Sequence, residues 1–183
     1  MSKIYLYKDG KEYNTNITGG LFNKNLYYNN ASIELINNCI YFNCQYPKGG
    51  LIQSTNIIDL SKYKAIKVKC DIDMSSSWCS NVAIAILSRH YIDWPDTANE
   101  YVILTNNALI TPGKYKDYIF EINLENIQKG IIEIGGISNF NVYEIYLETK
   151  DTLSETIKKA TKDTILNNKL FQEHVTIYQG EKS

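Results

Sequence analysis

From residue 3 to about residue 148, apolar side chains recur with a period of two and are interrupted by clusters of Asn, Gly, Pro and Asp. That is the pattern of short, half-buried strands separated by turns. It is clearest in "KAIKVKCDIDM", where Ile66, Val68, Cys70, Ile72 and Met74 share one face while Lys67, Lys69, Asp71 and Asp73 share the other. One face meets a core and the other meets water. "ASIELI" and "CIYFNC" flank Asn37-Asn38, a pair that tolerates the positive φ of a two-residue hairpin turn. "VAIAIL" at 82–87 is apolar on both faces, as expected of a central strand covered on each side, and "YVILTN" follows after a long loop. Pro112-Gly113 suits a type II turn leading into "YKDYIFEINL", in which Tyr118, Phe120, Ile122 and Leu124 align. "GIIEIGG" and "NVYEIYLE" close the series, with Tyr143, Ile145 and Leu147 expected inward. The series predicts a mainly β fold, a two-sheet antiparallel β-sandwich of the jelly-roll kind over residues 1–149.

The period changes after Leu147. "DTLSETIKKATKDTILNNKLFQE" has no Gly or Pro, opens with capping candidates Asp151 and Thr152, and repeats apolar or small residues at Leu153, Ile157, Ala160, Thr164 and Phe171. It predicts a C-terminal α-helix within a second segment, 150–183. Continuing the seven-residue count brings Asn167 and His174 onto the same seam, which is too weakly apolar for an autonomous coiled coil. The helix is expected either to pack on its own sandwich or to dock on a partner or another copy through Leu153, Ile157, Ala160 and Phe171. The closing "HVTIYQGEKS" alternates briefly and then turns polar, which suits an added strand or a frayed end.

Composition narrows the function. With 183 residues and 44% hydrophobic content the chain supports one well-buried core plus an appendage. A net charge of −1 gives no electrostatic basis for neutralising phosphates, so nucleic-acid binding is not expected. The start, "MSKIYLYKDGKEY", lacks the pattern of a secretory signal, and no window approaches the length of an apolar membrane span. Four cysteines, at 39, 44, 70 and 79, form no CxxC, and Cys39 and Cys44 point to opposite faces of a strand. They are expected to be buried, reduced thiols, with no metal and no cofactor.

The concentration of chemistry falls in "SRHYIDWPDTANEY" at 88–101, which holds the single arginine, a histidine and one of the two tryptophans. Tyr91 and Trp94 offer ring faces, and Arg89, His90, Asp93, Asp96 and Asn99 offer polar groups, the mixture that sugars require. Trp78 lies just before the central strand and could face either sheet end. The plainer reading of the same residues is a loop pinned by Trp and Pro and stapled by an Arg-Asp pair. Such a loop would also serve a protein contact, since Trp, Tyr and Arg are enriched at interface hot spots. Strand parity places Asp71, Asp73, Glu121, Glu133 and Glu144 outward as solvated charges, and no two carboxylates are singled out for glycoside hydrolysis. No catalytic residue is assigned, and an enzyme is not expected.

Two segments carry a resemblance. "IYLYKDGKEYNTNITGG" at 4–20 resembles the opening of modules from tail and baseplate proteins of phages and phage-derived particles. "NIIDLSKYKAIKVK" at 56–69 is similar to a segment of carbohydrate-binding-module-like jelly rolls, and "YEIYLE" at 143–148 resembles their closing strand. Physically, the second segment is a turn entering a strand, with Asp59 and Ser61 satisfying local amides and Tyr63 packing at the sheet end. The resemblance implies a non-enzymatic structural or recognition module of a phage-like particle, made in the host cytoplasm, with other tail or baseplate proteins or copies of itself as partners. The alternative it implies is a module that binds bacterial cell-wall or surface glycans. Sugar-contacting residues of that family are not fixed in sequence, so none is carried over.

Overall fold

A computed structural model describes residues 2–27, 30–74, 79–90, 102–151 and 160–166. The chain divides into two compact units, Ser2–Thr149 and Met1 with Lys150–Ser183. Among the described residues the first unit contains β1 (Lys3–Lys8), β2 (Lys11–Glu12), the single-turn α1 (Thr15–Thr18), β3 (Asn23–Tyr27), β4 (Ser32–Ile36), β5 (Cys39–Asn43) and β6 (Gly49–Gln53). It continues with β7 (Ile58–Asp59), β8 (Tyr63–Met74), β9 (Asn81–Leu87), β10 (Ile103–Leu109), β11 (Gly113–Asn123), β12 (Lys129–Ile137) and β13 (Asn139–Thr149). In the second unit, residues 160–166 are helical and exposed, including the apolar Ile165 and Leu166. Of the four expected docking residues only Ala160 is described; Leu153, Ile157 and Phe171 lie outside the described residues.

The strands form a two-sheet antiparallel sandwich. One sheet has the order β11-β8-β13-β1-β2, with β5 also on β13 and β4 on β5; the other runs β10-β9-β12-β6-β3, with β7 on β12. The core fills the space between them: Ile66, Val68, Cys70 and Ile72 of β8 and Phe140, Val142, Ile145 and Leu147 of β13 face Ile84 and Ile86 of β9 and Ile132 and Ile134 of β12. Phe42 and Phe140, register partners on β5 and β13, stack with ring centroids 4.0 Å apart. The alternation predicted for β8 is present residue by residue, because a strand buried on one face must repeat every second side chain.

Turn chemistry fixes the local geometry. Asn37 and Asn38 take φ of 50° and 63° between β4 and β5, the hairpin turn that the sequence predicts. At the start of β8, the Ser61 amide and hydroxyl both donate to Asp59 Oδ1, at 3.1 and 2.6 Å. The Ile-Thr-Gly-Gly motif closes α1: Gly19 at φ 68° donates to Thr15 O, and a side chain there would collide with Asn56. The expected type II turn at Pro112-Gly113 does not form. Gly113 has φ 155°, not the value near 80° that such a turn needs, and opens β11 opposite Met74.

Two β-bulges overturn parity arguments. β13 carries an extra residue between Val142 and Glu144, where its second neighbour changes from β5 to β1. Tyr143 therefore does not turn into the core as expected; it is half-buried, and its hydroxyl donates to Asp71 Oδ2 at 2.9 Å. The bulge in β11 sets Asp117 at φ 51°, with its amide donating to Asp71 Oδ1 at 2.8 Å. Asp71 is thus not a solvated charge but the link between two bulges. On the same face Lys67 Nζ reaches Glu148 Oε1 at 2.8 Å and Glu121 Oε2 at 3.9 Å.

Candidate functional site

The outer face of the β10-β9-β12-β6-β3 sheet carries a groove of about 370 Å³. That lies within the usual range for ligand sites. Its walls follow from strand register, which lays the outward residues in rungs across the sheet. One rung is Asn106, Ala85, Glu133, Gln53 and Asn23. The next is Ala108, Ala83, Gly135, Leu51 and Asn25. Beyond it come Asn81 opposite Ile137 and Tyr27 opposite Gly49, with Ile110 at the edge. The middle rung is bare at Gly135 and methyl-sized at Ala83 and Ala108, with Leu51 completing the floor; Asn106 and Glu133 stand on one side, and Asn81, Ile137 and Tyr27 on the other.

The bareness is built into the backbone. A methyl group on Gly135 would lie 2.4 Å from Gly50 O and 2.5 Å from Leu51 Cβ, so β12 and β6 approach too closely there for any side chain. Gly49 leaves room for the Tyr27 ring, whose Cδ2 would sit 3.2 Å from an added methyl. On the polar side, buried Gln53 donates from Nε2 to Glu133 Oε2 at 2.8 Å and fixes the carboxylate. Burial pushes the Tyr27 hydroxyl up to about 12, and the charge of Glu133 adds to that shift. Parity correctly places Glu133 on the outer face, but that face is the groove wall rather than open water. Among the described lining residues it is the one carboxylate, so the facing pair required for glycoside hydrolysis is not found among them.

Beside the groove, Leu51, Ala85, Leu87, Val102 and Ile131 form a small apolar cluster, with Tyr27 and Ile103 against it. This explains why "VAIAIL" is apolar on both faces: Ile84 and Ile86 enter the main core, while Ala85 and Leu87 join the outer cluster. The Ser88 amide donates to Val102 O at 2.6 Å, which joins the end of β9 to the residue before β10.

Of the site residues expected from sequence, Tyr91, Asp93, Trp94, Asp96, Asn99 and Trp78 lie outside the described residues. Exposed Arg89 donates to the His90 carbonyl at 3.2 Å. His90 Nε2 lies 2.9 Å from the Ser54 carbonyl, which requires the proton on Nε2. Both side chains engage backbone carbonyls, and His90 ties the end of β9 to the end of β6. Sequence reasoning missed the floor residues, whose Ala and Gly identities carry no chemical signature. Cys39, Cys44 and Cys70 are buried thiols outside any disulfide, and Cys79 is half-buried.

No family model matches the chain, and no curated protein sequence matches it. Solved structures do. The carbohydrate recognition domain of Emp46p is similar at TM-score 0.50 and 6% identity, covering 81% of this chain and 97% of that one. A family 29 carbohydrate-binding module gives TM-score 0.48 and 7% identity, with 81% and 93% coverage. The low-affinity xylan-binding module CBM86 of Roseburia intestinalis gives 0.41 and 11%, with 69% and 96% coverage. At these identities the shared property is the fold: this chain is a mainly β protein whose two antiparallel sheets form a sandwich like that of the Emp46p domain.

Proposed function

We propose that the sandwich is a non-catalytic glycan-recognition module and that the groove across β10, β9, β12, β6 and β3 holds the sugar chain. The observation that carries this is the arrangement in rungs: a low floor of Ala108, Ala83, Gly135 and Leu51 runs across β10, β9, β12 and β6, flanked by Asn106, Asn81 and the fixed carboxylate of Glu133. From Ala108 on β10 to Tyr27 on β3 the groove crosses four interstrand steps, about 19 Å, so an elongated ligand fits better than a compact one. Asn106, Asn81 and Glu133 present the planar acceptors and donors that fork onto adjacent hydroxyls. The fold shared with the Emp46p carbohydrate recognition domain and the sugar-binding modules agrees with this reading.

The test is calorimetric titration of the whole chain against a panel of soluble polysaccharides, repeated with Ala83→Trp. Ala83 is half-buried and points into the groove, so the indole fills the floor and leaves the inner core untouched. Binding is expected in the wild type and is expected to fall at least about thirtyfold in the variant, with thermal stability preserved. Unchanged affinity in Ala83→Trp would remove the groove from the mechanism. Trp94→Ala is the companion variant, because Trp94 and Tyr91 are the aromatic residues expected from sequence as sugar contacts. Attachment of a phage-like particle to a cell surface is the setting implied by the resemblance at 4–20; co-purification with tail proteins tests it.

A further inference from the structure

The lining of the groove has a feature that a sugar site of the ordinary kind does not need. Pyranose rings usually stack on aromatic faces, yet among the described lining residues Tyr27, at one end, is the only aromatic ring. The remaining apolar surface is aliphatic: Ala83, Ala108 and Leu51 in the floor, Ala85 and Ile103 to one side, and Ile137 on the rung beyond, with Pro47 and Ile110 also in the lining. Flat ring faces gain little on such a surface, whereas a methyl group can settle between these side chains. The polar neighbours are equally specific in type. Glu133 keeps acceptor capacity beyond the bond from Gln53, because a carboxylate offers about four lone-pair sites. Asn106 and Asn81, on rungs either side of the alanine floor, bring amide donors. A methyl seat flanked by an acceptor and by donors is complementary to one substituent common on sugars, the acetamido group: its methyl is apolar, its N–H donates and its carbonyl accepts.

Resting on the glycan reading above, we propose that this groove selects N-acetylated glycans. The acetamido methyl sits on Ala83 and Ala108, the N–H donates to the carboxylate of Glu133, and the carbonyl accepts from the amide of Asn106 or Asn81. A hydroxyl at the same sugar carbon leaves the methyl seat empty. An ammonium there satisfies Glu133 but places charge against alanine, at a desolvation cost.

Three tetrasaccharides with one β-1,4-linked glucose-type backbone, differing only at C2, separate these cases: acetamido, hydroxyl and ammonium. Titration of the full chain is expected to show the acetamido form binding about tenfold or more tighter than the hydroxyl form. Ala83→Ser and, independently, Ala108→Ser put a hydroxyl in the methyl seat; each is expected to erase most of that preference, read as the ratio of the affinities for the acetamido and hydroxyl forms. Equal or tighter binding of the hydroxyl or ammonium form overturns the proposal while leaving the glycan reading in place. So does binding of some other glycan, blocked by Ala83→Trp, with none of the three tetrasaccharides bound. Failure of every glycan in the wider panel removes both.

Discussion

Replacing Cys70 with valine should make the sandwich less sensitive to alkali. Cys70 lies in the middle of β8, 1% exposed, with its thiol 3.6 Å from the Tyr118 carbonyl. Burial pushes its pKa from 9.0 up to about 12, and the nearby Asp71 charge adds to the shift. A thiol is neutral when protonated, so a raised folded value leaves stability intact below the unfolded value near 9 and removes it as pH climbs toward 12. At pH 8 the loss is about 0.1 kcal/mol; at pH 10, where the unfolded chain releases the proton and the folded chain does not, it is about 1.4 kcal/mol. Valine has nothing to ionise and fits the same apolar site at a pH-independent cost below about 1.5 kcal/mol. Lysine, tyrosine and the other thiol titrations are common to both proteins and cancel in the comparison. Urea unfolding at pH 8, 9 and 10 under reducing conditions should therefore show the wild type losing about 1.3 kcal/mol more than Cys70→Val between the ends of that range. A difference between the two proteins that stays flat with pH would mean that the thiol ionises in place, and that the β8 face is not sealed as the geometry requires.

Two further substitutions probe the framework around the groove. Ser54→Ala removes the hydroxyl that accepts from the buried Ile132 amide at 3.1 Å; an orphaned N–H costs about 1–3 kcal/mol, read as a fall in Tm, while Ser54→Thr should retain most of the stability. Gly135→Ala forces β12 and β6 apart where their backbones meet, an expected loss of about 1–3 kcal/mol in denaturant unfolding; wild-type stability would show that the floor is not tightly closed.

Local chemistry was legible because it depends on neighbours in sequence. Alternation from Ile66 to Met74, the Asn37-Asn38 turn and the Asp59-Ser61 contact each involve residues a few positions apart, and each was readable before any coordinates. Parity failed where a bulge inserted one residue. Nothing in "NVYEIYLE" announces that β13 changes partner at Tyr143, and that single insertion turns Tyr143 from the core toward Asp71.

What the sequence by itself determined is the architecture: a chain that alternates for nearly 150 residues must bury one face of each strand, and two sheets packed face to face satisfy that demand. Only the tertiary structure decided the groove. Tyr27, Leu51, Ala83, Ala108, Glu133 and Gly135 come from five different strands, and they share a surface because long-range pairing sets the register. Parity says which way Glu133 points; the order β10-β9-β12-β6-β3 says that a groove wall is there instead of open water.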